Sequence, residues 1–373
     1  MEPTRILQFG FGKKRYGTES VVLNLYRHID RSRYQFDFLV DYSYEAIDYE
    51  AEVEALGGHV YRQYYRITEK MAPGYISPAQ FWAAHPEIQG VHLNLQDYGI
   101  CNTRLIATAK KRGLPICIIH MHSAPQGSSV TLNTRIQHLL LAPHAWRYGN
   151  QLLACSEVAG RYGFKRRPYK ILPNAVDTDK FAFNDAVRNR LRAQHGLTDK
   201  LVLGFVGRFV LEKNPEFLLS ILQEVNRRCS HAQLVLLGDG DLDDRMRHSV
   251  REMGLENVSF QGRVNNVHEW MQAFDVLLLP SSYEGLSMVL IEAQTAGLVC
   301  FTSDKIPMDA AVTSRLSFLG LKDPAAWAEA ILQADLSFDR RKGRAEVAAA
   351  GYDIRENVKQ LEAIYDNLLG QTP

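Results

Sequence analysis

Four charged side chains in the second half of the chain have types and spacings suited to holding a diphosphate and a diol. Arg208 and Lys213 stand five residues apart in Gly204-Phe205-Val206-Gly207-Arg208-Phe209-Val210-Leu211-Glu212-Lys213-Asn214-Pro215, directly after an apolar run. On a loop that follows a strand, a forked guanidinium and a compact ammonium can converge on one diphosphate. Glu284 and Glu292 lie in Pro280-Ser281-Ser282-Tyr283-Glu284-Gly285-Leu286-Ser287-Met288-Val289-Leu290-Ile291-Glu292-Ala293. The first falls in a loop after another apolar run, the second two turns along an otherwise apolar helical stretch. A carboxylate there needs hydrogen-bond donors. A sugar diol supplies two, and an internal salt bridge is the alternative. Gly285, Leu286 and Ser287 open that helix, where unpaired backbone N–H groups and the positive end of the dipole suit phosphate oxygens. Leu236-Leu237-Gly238-Asp239-Gly240 is a third strand meeting a glycine turn, which signals a tight turn or a close backbone approach.

The elements that must position these residues follow from the hydrophobic pattern. Strands are predicted at Arg5–Phe9, Phe36–Val40, His59–Arg62, Gly90–Leu95, Ile116–His120, Leu152–Ser156 and Lys170–Leu172. A second series runs Leu201–Val206, Gln233–Leu237, Val258–Phe260, Val276–Leu279, Val299–Ser303 and Leu316–Leu319. Amphipathic stretches such as Thr18–His28, Asn102–Arg112, Glu216–Arg228 and Leu286–Ala296 lie between them. Alternation of this kind predicts parallel sheets covered by helices on both faces, with ligands at the carboxyl ends of the strands. Two such series imply an α/β chain of two doubly wound domains. Val176–Lys200 is the expected connection, and Ile354–Leu369 reads as a closing helix with one buried face.

The first strand runs into Gly10-Phe11-Gly12-Lys13-Lys14-Arg15-Tyr16-Gly17-Thr18-Glu19. Its glycines miss the dinucleotide fingerprint because the third comes two positions late. They miss the P-loop because Thr18 follows Gly17 where a lysine is required. A glycine turn that opens a helix beside three cations still favours an anion. Asp241-Leu242-Asp243-Asp244 contains an Asp-x-Asp pattern, but it opens a helix and reads as N-cap chemistry.

Length and composition narrow the class. The 373 residues suit two domains, and 46% hydrophobic with 23% charged is ordinary for a globular protein. A net charge of +1 argues against a nucleic-acid binder. The start lacks the pattern of a signal peptide, and no apolar run approaches a membrane span. Cys101, Cys117, Cys155, Cys229 and Cys300 are scattered and odd in number, which fits core thiols in a reducing cytoplasm.

Taken in order, Gly-Arg-x4-Lys-Asn, Leu-Leu-Gly-Asp-Gly and Ser-x-x-Glu-Gly-x6-Glu-Ala resemble the retaining nucleotide-sugar glycosyltransferases of family 4. Glu284 and Glu292 match that family's E-x7-E signature. Gly17-Thr18-Glu19, Phe36-Asp37-Phe38-Leu39-Val40, Ala154-Cys155-Ser156-Glu157 and Leu172-Pro173-Asn174-Ala175-Val176-Asp177 extend the resemblance over nearly the whole chain. They look most like bacterial members that build exopolysaccharide or capsule. Ala175 replaces a common Gly, Ser287 a common Pro, and Leu298-Val299 a common Leu-Pro.

The resemblance implies a GT-B fold: two Rossmann-like domains facing across a cleft, with the last helix crossing back to the first. The implied boundaries are 1–175 for the acceptor, 176–350 for the nucleotide-sugar donor, and 351–373 for the returning helix. It assigns Arg208 and Lys213 to the departing diphosphate, Glu284 to the transferred sugar and Glu292 to the ribose hydroxyls. Gly207 and Gly238 border the donor, the main chain at Arg263 and Val264 holds the base, and Gly285, Leu286 and Ser287 meet phosphate. Gly17 approaches the same diphosphate from the first domain. His120 and His122, in Ile119-His120-Met121-His122-Ser123, compete for a catalytic position at a strand end. Asn94, Gln96, Asp97, Asn174 and the segment Tyr61–Lys70 are candidates for the acceptor side.

No cofactor or metal is implied. The donor is a nucleoside-diphosphate sugar, with a UDP-sugar expected, and the acceptor is a glycan or a polyprenyl-pyrophosphate-linked glycan. No carboxylate pair suits double displacement, so front-face displacement is the expected route to retention. The rival readings are a nucleotide-sugar epimerase on the same fold and a non-catalytic partner subunit. Charge adds a final expectation. Residues 1–175 carry a net of +7 and residues 176–373 a net of −6. Arg104, Lys110, Lys111, Arg112, Lys165, Arg166 and Arg167 form a candidate patch for an anionic membrane surface, which implies a cytoplasmic protein peripheral to the inner face of the cell membrane.

Overall fold

The structure, a computed structural model, describes residues 2–15, 17–63, 75–96, 103–123, 142–143 and 145–370. The chain divides into two compact units, Met1–Ala175 with Ile354–Pro373, and Val176–Asp353.

The first unit is a seven-stranded, all-parallel sheet in the order β3-β2-β1-β4-β5-β6-β7. Its strands are β1 (Thr4–Phe9), β2 (Tyr34–Asp41), β3 (Val60–Gln63), β4 (Ile88–Leu95), β5 (Ile116–Met121), β6 (Gln151–Ala154) and β7 (Lys170–Ile171). Every residue of β2 and β5 is buried, as expected of parallel strands covered on both faces. The helix Gly17–His28 follows β1 and packs against the closing helix Ile354–Leu369. That closing helix buries Ile354, Val358, Leu361, Ile364 and Tyr365 at helical spacing.

The second unit is a six-stranded parallel sheet in the order β10-β9-β8-β11-β12-β13. Its strands are β8 (Leu201–Val206), β9 (Ala232–Leu237), β10 (Val258–Gly262), β11 (Val276–Leu279), β12 (Val299–Ser303) and β13 (Leu316–Leu319). The order reverses between β8 and β11, which makes their carboxyl ends the topological switch point. The helix Pro215–Asn226 begins with proline at its first position, where no N–H is needed. It buries Leu218, Leu219, Ile221, Leu222 and Val225 and packs against the helix Pro324–Gln333, with Phe217 edge-on to Trp327 at 5.7 Å.

Two expectations are corrected. Val176–Lys200 is not a linker but a folded part of the second unit, with helices at Thr178–Phe181 and Asp185–Gln194. Phe181, Leu191 and Leu197 bury themselves in that unit's core. The chain crosses at Val176 instead, which pairs with Asp353 in an isolated parallel bridge. The aspartates after Gly240 do not cap a helix either. Leu242 holds the N-cap of Asp243–Glu252 with no side-chain bond, and Asp243 pairs with Arg247 one turn on. Their favourable interaction is with the helix dipole.

Candidate active site

In the second unit, the loops after β8 and β11 bring Lys213 and Glu284 together. After Val206 the chain passes Gly207 and Arg208 and makes a short 3-10 turn at Leu211–Lys213. Asn214 ends that turn in the left-handed region (φ 49°), which asparagine tolerates, and Pro215 starts the next helix. Lys213 is thereby turned inward, where its ammonium pairs with a Glu284 carboxylate oxygen. The same oxygen accepts from Ser281 Oγ at 2.9 Å. The Ser282 N–H donates to the Glu212 carbonyl at 2.8 Å, so the two loops are also stitched through their backbones. Both charged side chains are more than four-fifths buried.

The remaining residues of this end fall into place around that pair. Arg208 is exposed on the same loop as Lys213. Gly285 and Leu286 lead into Ser287, the N-cap of the helix Met288–Thr295, whose hydroxyl makes no capping bond. Glu292 is half-buried on that helix. Arg263 is exposed and Val264 half-buried directly after β10. Gly238 has φ +137°, and a Cβ there would collide with the Gly207 carbonyl oxygen. The glycine turn after β9 is therefore required by the neighbouring loop of the chain itself.

In the first unit, the loop after β1 closes on an internal carboxylate. Buried Glu19, in the first turn of Gly17–His28, accepts from the Gly12 N–H at 2.8 Å. Arg15 pairs with Glu52 at 3.2 Å. Gly17 has open space where a Cβ would stand. Gln96, at the end of β4, donates to the Thr18 hydroxyl at 3.1 Å.

His120 and His122 belong to a larger buried polar cluster. Tyr365 Oη lies 2.9 Å from His92 Nδ1, and His92 Nε2 lies 3.2 Å from His120 Nδ1. Burial pushes all three histidines well below their ordinary value, His92 to about 3 and His122 to about 4, so the rings are neutral. Burial also keeps the Tyr365 phenol protonated. Neutral rings allow one donor per contact, and a Leu172 carbonyl at His120 favours the order in which Tyr365 donates to His92 and His92 Nε2–H donates to His120. The His120 ring sits 3.9 Å from that of His122. Its Nε2 makes no hydrogen bond of good geometry, although the Leu172 carbonyl draws its pKa upward.

His122 is held on both sides. Asn94 Nδ2 donates to Gln8 Oε1 at 3.0 Å and to the His92 carbonyl at 3.1 Å, so its oxygen faces His122 Nε2 at 2.8 Å. A neutral His122 then carries its proton on Nε2. Its Nδ1 lies 3.1 Å from the Asn174 side-chain oxygen, which favours the protonated ring and opposes the effect of burial. Asn94 and Asn174 are thus buried supports of His122. Asp97 and residues 64–70 of the aromatic segment lie outside the described residues. Tyr61 and Arg62 are in β3, where Arg62 pairs with Glu50. The sequence reading missed His92, Tyr365 and Ser281. The one signal for His92 is its shared strand face with Asn94, next to the strand carrying His120.

Comparison with known proteins gives the family and the fold. A family model described as "Glycosyl transferases group 1" matches residues 187–342. The glycosyltransferase EpsF of Bacillus subtilis is 33% identical over 97% of this chain and 96% of its own length. The UDP-Gal:alpha-D-GlcNAc-diphosphoundecaprenol alpha-1,3-galactosyltransferase of Escherichia coli is 30% identical over 36% of this chain and 34% of its own. Anabaena HepE in complex with UDP-glucose superposes with a TM-score of 0.77 at 17% identity, over 97% of this chain and 99% of that one. The chain belongs to the group 1 glycosyltransferases of family 4 and has the GT-B fold.

Proposed function

We propose that this glycosyltransferase moves a sugar from a UDP-sugar, with retention, onto a glycan or a lipid-diphosphate-linked glycan in cell-surface polysaccharide synthesis. The observation that carries the reading is the Lys213–Glu284 pair at the switch point of the second sheet. An ammonium held there by a carboxylate is charge-balanced while the site is empty and available to a diphosphate when it arrives. The resemblance to enzymes that build exopolysaccharide supports the polymer, and the names of the Escherichia coli and Anabaena relatives support a lipid-diphosphate acceptor and a uridine donor.

The bond between the sugar C1 and the diphosphate oxygen breaks, and negative charge grows on that oxygen. Arg208, Lys213 and the N-terminus of Met288–Thr295 stabilise it as fixed charges and dipoles. The acceptor oxygen bonds to C1 on the face the phosphate leaves, and its proton passes to the departing phosphate. Glu284, released from Lys213, takes hydrogen bonds from the sugar, Glu292 holds the ribose, and Arg263 and Val264 flank the base. The basic first unit is proposed to rest on an anionic membrane. No described helix is long and apolar enough to cross one.

A thermal-shift screen of nucleotide-sugars followed by product analysis tests the reading. A selective response to one UDP-sugar and a new glycoside are expected, whereas an isomerised nucleotide-sugar would point to an epimerase. Glu292→Gln should weaken donor binding and Arg208→Ala should chiefly lower turnover. Unchanged sugar transfer in both would remove these assignments.

A further inference from the structure

The cations of the first unit are not scattered over its surface. With the returning helix included, that unit carries a net of +6 and the other a net of −5. The excess gathers where the chain enters three neighbouring strands. Lys110, Lys111 and Arg112 end the helix Thr103–Lys111 and precede β5. Arg147 precedes β6, and Lys165, Arg166 and Arg167 precede β7. All seven are exposed. Because β5, β6 and β7 are parallel and adjacent, these loops share one edge of the sheet, the end opposite the carboxyl termini of its strands.

Side chains join the three loops into one rim. Asn150 binds both the Cys117 N–H, through its oxygen at 2.9 Å, and the Pro115 carbonyl, which ties the β6 loop to the β5 loop. Trp146 Nε1 donates to the Gly163 carbonyl at 3.0 Å, and the Arg167 guanidinium lies 5.0 Å over the Trp146 ring, which ties the β6 loop to the β7 loop. No aspartate or glutamate occurs in residues 109–116, 145–151 or 161–170. The nearest carboxylate in sequence, Glu157, is occupied by Arg161 and Tyr169. Lys165 adopts φ +57°, ψ −114°, a conformation that favours glycine. Arg104 belongs to the other end of the sheet, about 10 Å away along its helix.

We propose that this rim, at the amino ends of β5, β6 and β7, is the surface that rests on an anionic lipid bilayer. The inference deepens the proposed membrane contact and rests on it. A discrete anionic ligand would need donors converging on one point. Long side chains spread along three loops that carry no carboxylate of their own match the diffuse negative charge of lipid headgroups. The carboxyl ends of the strands, with His120 and His122, then lie a strand's length, about 20 Å, from the headgroups, so an acceptor reaches them through its glycan rather than through its lipid diphosphate.

Sedimentation of the full chain with phosphatidylcholine vesicles, with and without phosphatidylglycerol, at low salt is the test. Wild type should bind only the anionic vesicles. Lys110→Glu/Lys111→Glu and Lys165→Glu/Arg166→Glu should each reduce the bound fraction at least about tenfold, whereas Arg104→Glu should bind as wild type. Unchanged turnover with a water-soluble acceptor shows that the variants are folded, and neutral replacements by Gln serve if a reversal is not. Binding that survives both rim variants, or is lost in Arg104→Glu, overturns the rim and leaves the membrane contact standing. Wild type that ignores anionic vesicles overturns both, as does rim-dependent retention of an acidic protein without vesicle binding.

Discussion

Lys213 and Glu284 form an ion pair across 71 residues of sequence, each from the loop after one of two adjacent parallel strands. The pair is mostly buried, so breaking it from either side leaves a charge short of its partner. In the proposed mechanism the lysine is needed twice, to hold the two loops together and to meet the leaving diphosphate. Lys213→Ala is therefore expected to lower kcat by about 10²–10³, the usual effect of removing one fixed donor to developing charge. Glu284→Gln keeps the Ser281 hydrogen bond and should cost less stability than Glu284→Ala. Steady-state transfer with purified donor and a thermal melt of each variant check both statements. A Lys213→Ala enzyme that melts early but turns over at the wild-type rate would reduce the pair to a structural clasp.

Gly10 and Gly238 make one prediction and Gly17 the opposite. Gly10 (φ +107°) and Gly238 (φ +137°) each lie against a backbone carbonyl oxygen, that of Asn94 and that of Gly207, and a Cβ at either would collide with it. Both strain and overlap act on Gly10→Ala and Gly238→Ala, so each should lose about 2 kcal/mol or more of stability. Gly17 begins a helix with open space at its Cβ position. Gly17→Ala should melt at or slightly above the wild-type temperature, because alanine is the better helix residue, yet transfer more slowly if phosphate approaches that backbone. Wild-type turnover in Gly17→Ala would remove Gly17 from the donor site.

The fold was legible because buried parallel strands leave an unmistakable record. Leu201–Val206, Val276–Leu279 and Leu316–Leu319 are short apolar runs in the sequence and strands of the same extent in the molecule. Ile354–Leu369 was visible through its apolar period. Val176–Lys200 was misread because its polar, basic helices anchor through only a few apolar side chains, Phe181, Leu191 and Leu197. The site was legible in part for the same physical reason. Loops after strands are obvious, so the places of Arg208, Lys213, Glu284 and Glu292 followed. Which groups pair across those loops depends on strand order, and nothing local in the sequence couples Lys213 to Glu284 or His92 to Tyr365.

Tyr365 links the returning helix to the histidine cluster, its hydroxyl lying 2.9 Å from His92 Nδ1. Tyr365→Phe preserves the ring, which packs edge-on to Phe36 and His92, and deletes the hydroxyl's contacts with His92 and Gln8. The expected cost is about 1–3 kcal/mol, since the His92 acceptor is left buried and unsatisfied. Nitrogen-15 shifts of the imidazoles should show His92 as the Nε2–H tautomer in wild type and a mixture in the variant. Identical His92 shifts in the two proteins would mean that the phenol does not set the proton order.

The same cluster makes the first unit sensitive to acid in a defined window. Burial holds His92 at about 3, with the His122 charge adding to the effect, and holds His122 at about 4 against the opposing Asn174 hydrogen bond. His120 is also lowered by burial, and further by His122 and His92. In the unfolded chain each returns to about 6.5. Below that value the unfolded state binds protons that the folded state refuses, so the contribution is complete above about pH 6.5 and is lost as pH falls toward the folded values. Each such proton steepens the loss by about 1.4 kcal/mol per pH unit, and three give about 4. Most carboxylates titrate lower, which leaves the range from about pH 6.5 to 5 to the histidines. Chemical denaturation at stepped pH should show stability falling across that range, less steeply in His92→Gln, which removes one of the three sites. A wild-type stability that stays level from about pH 7 to 5 would mean the rings accept protons in place, and the neutral ordering of Tyr365, His92 and His120 would have to be abandoned.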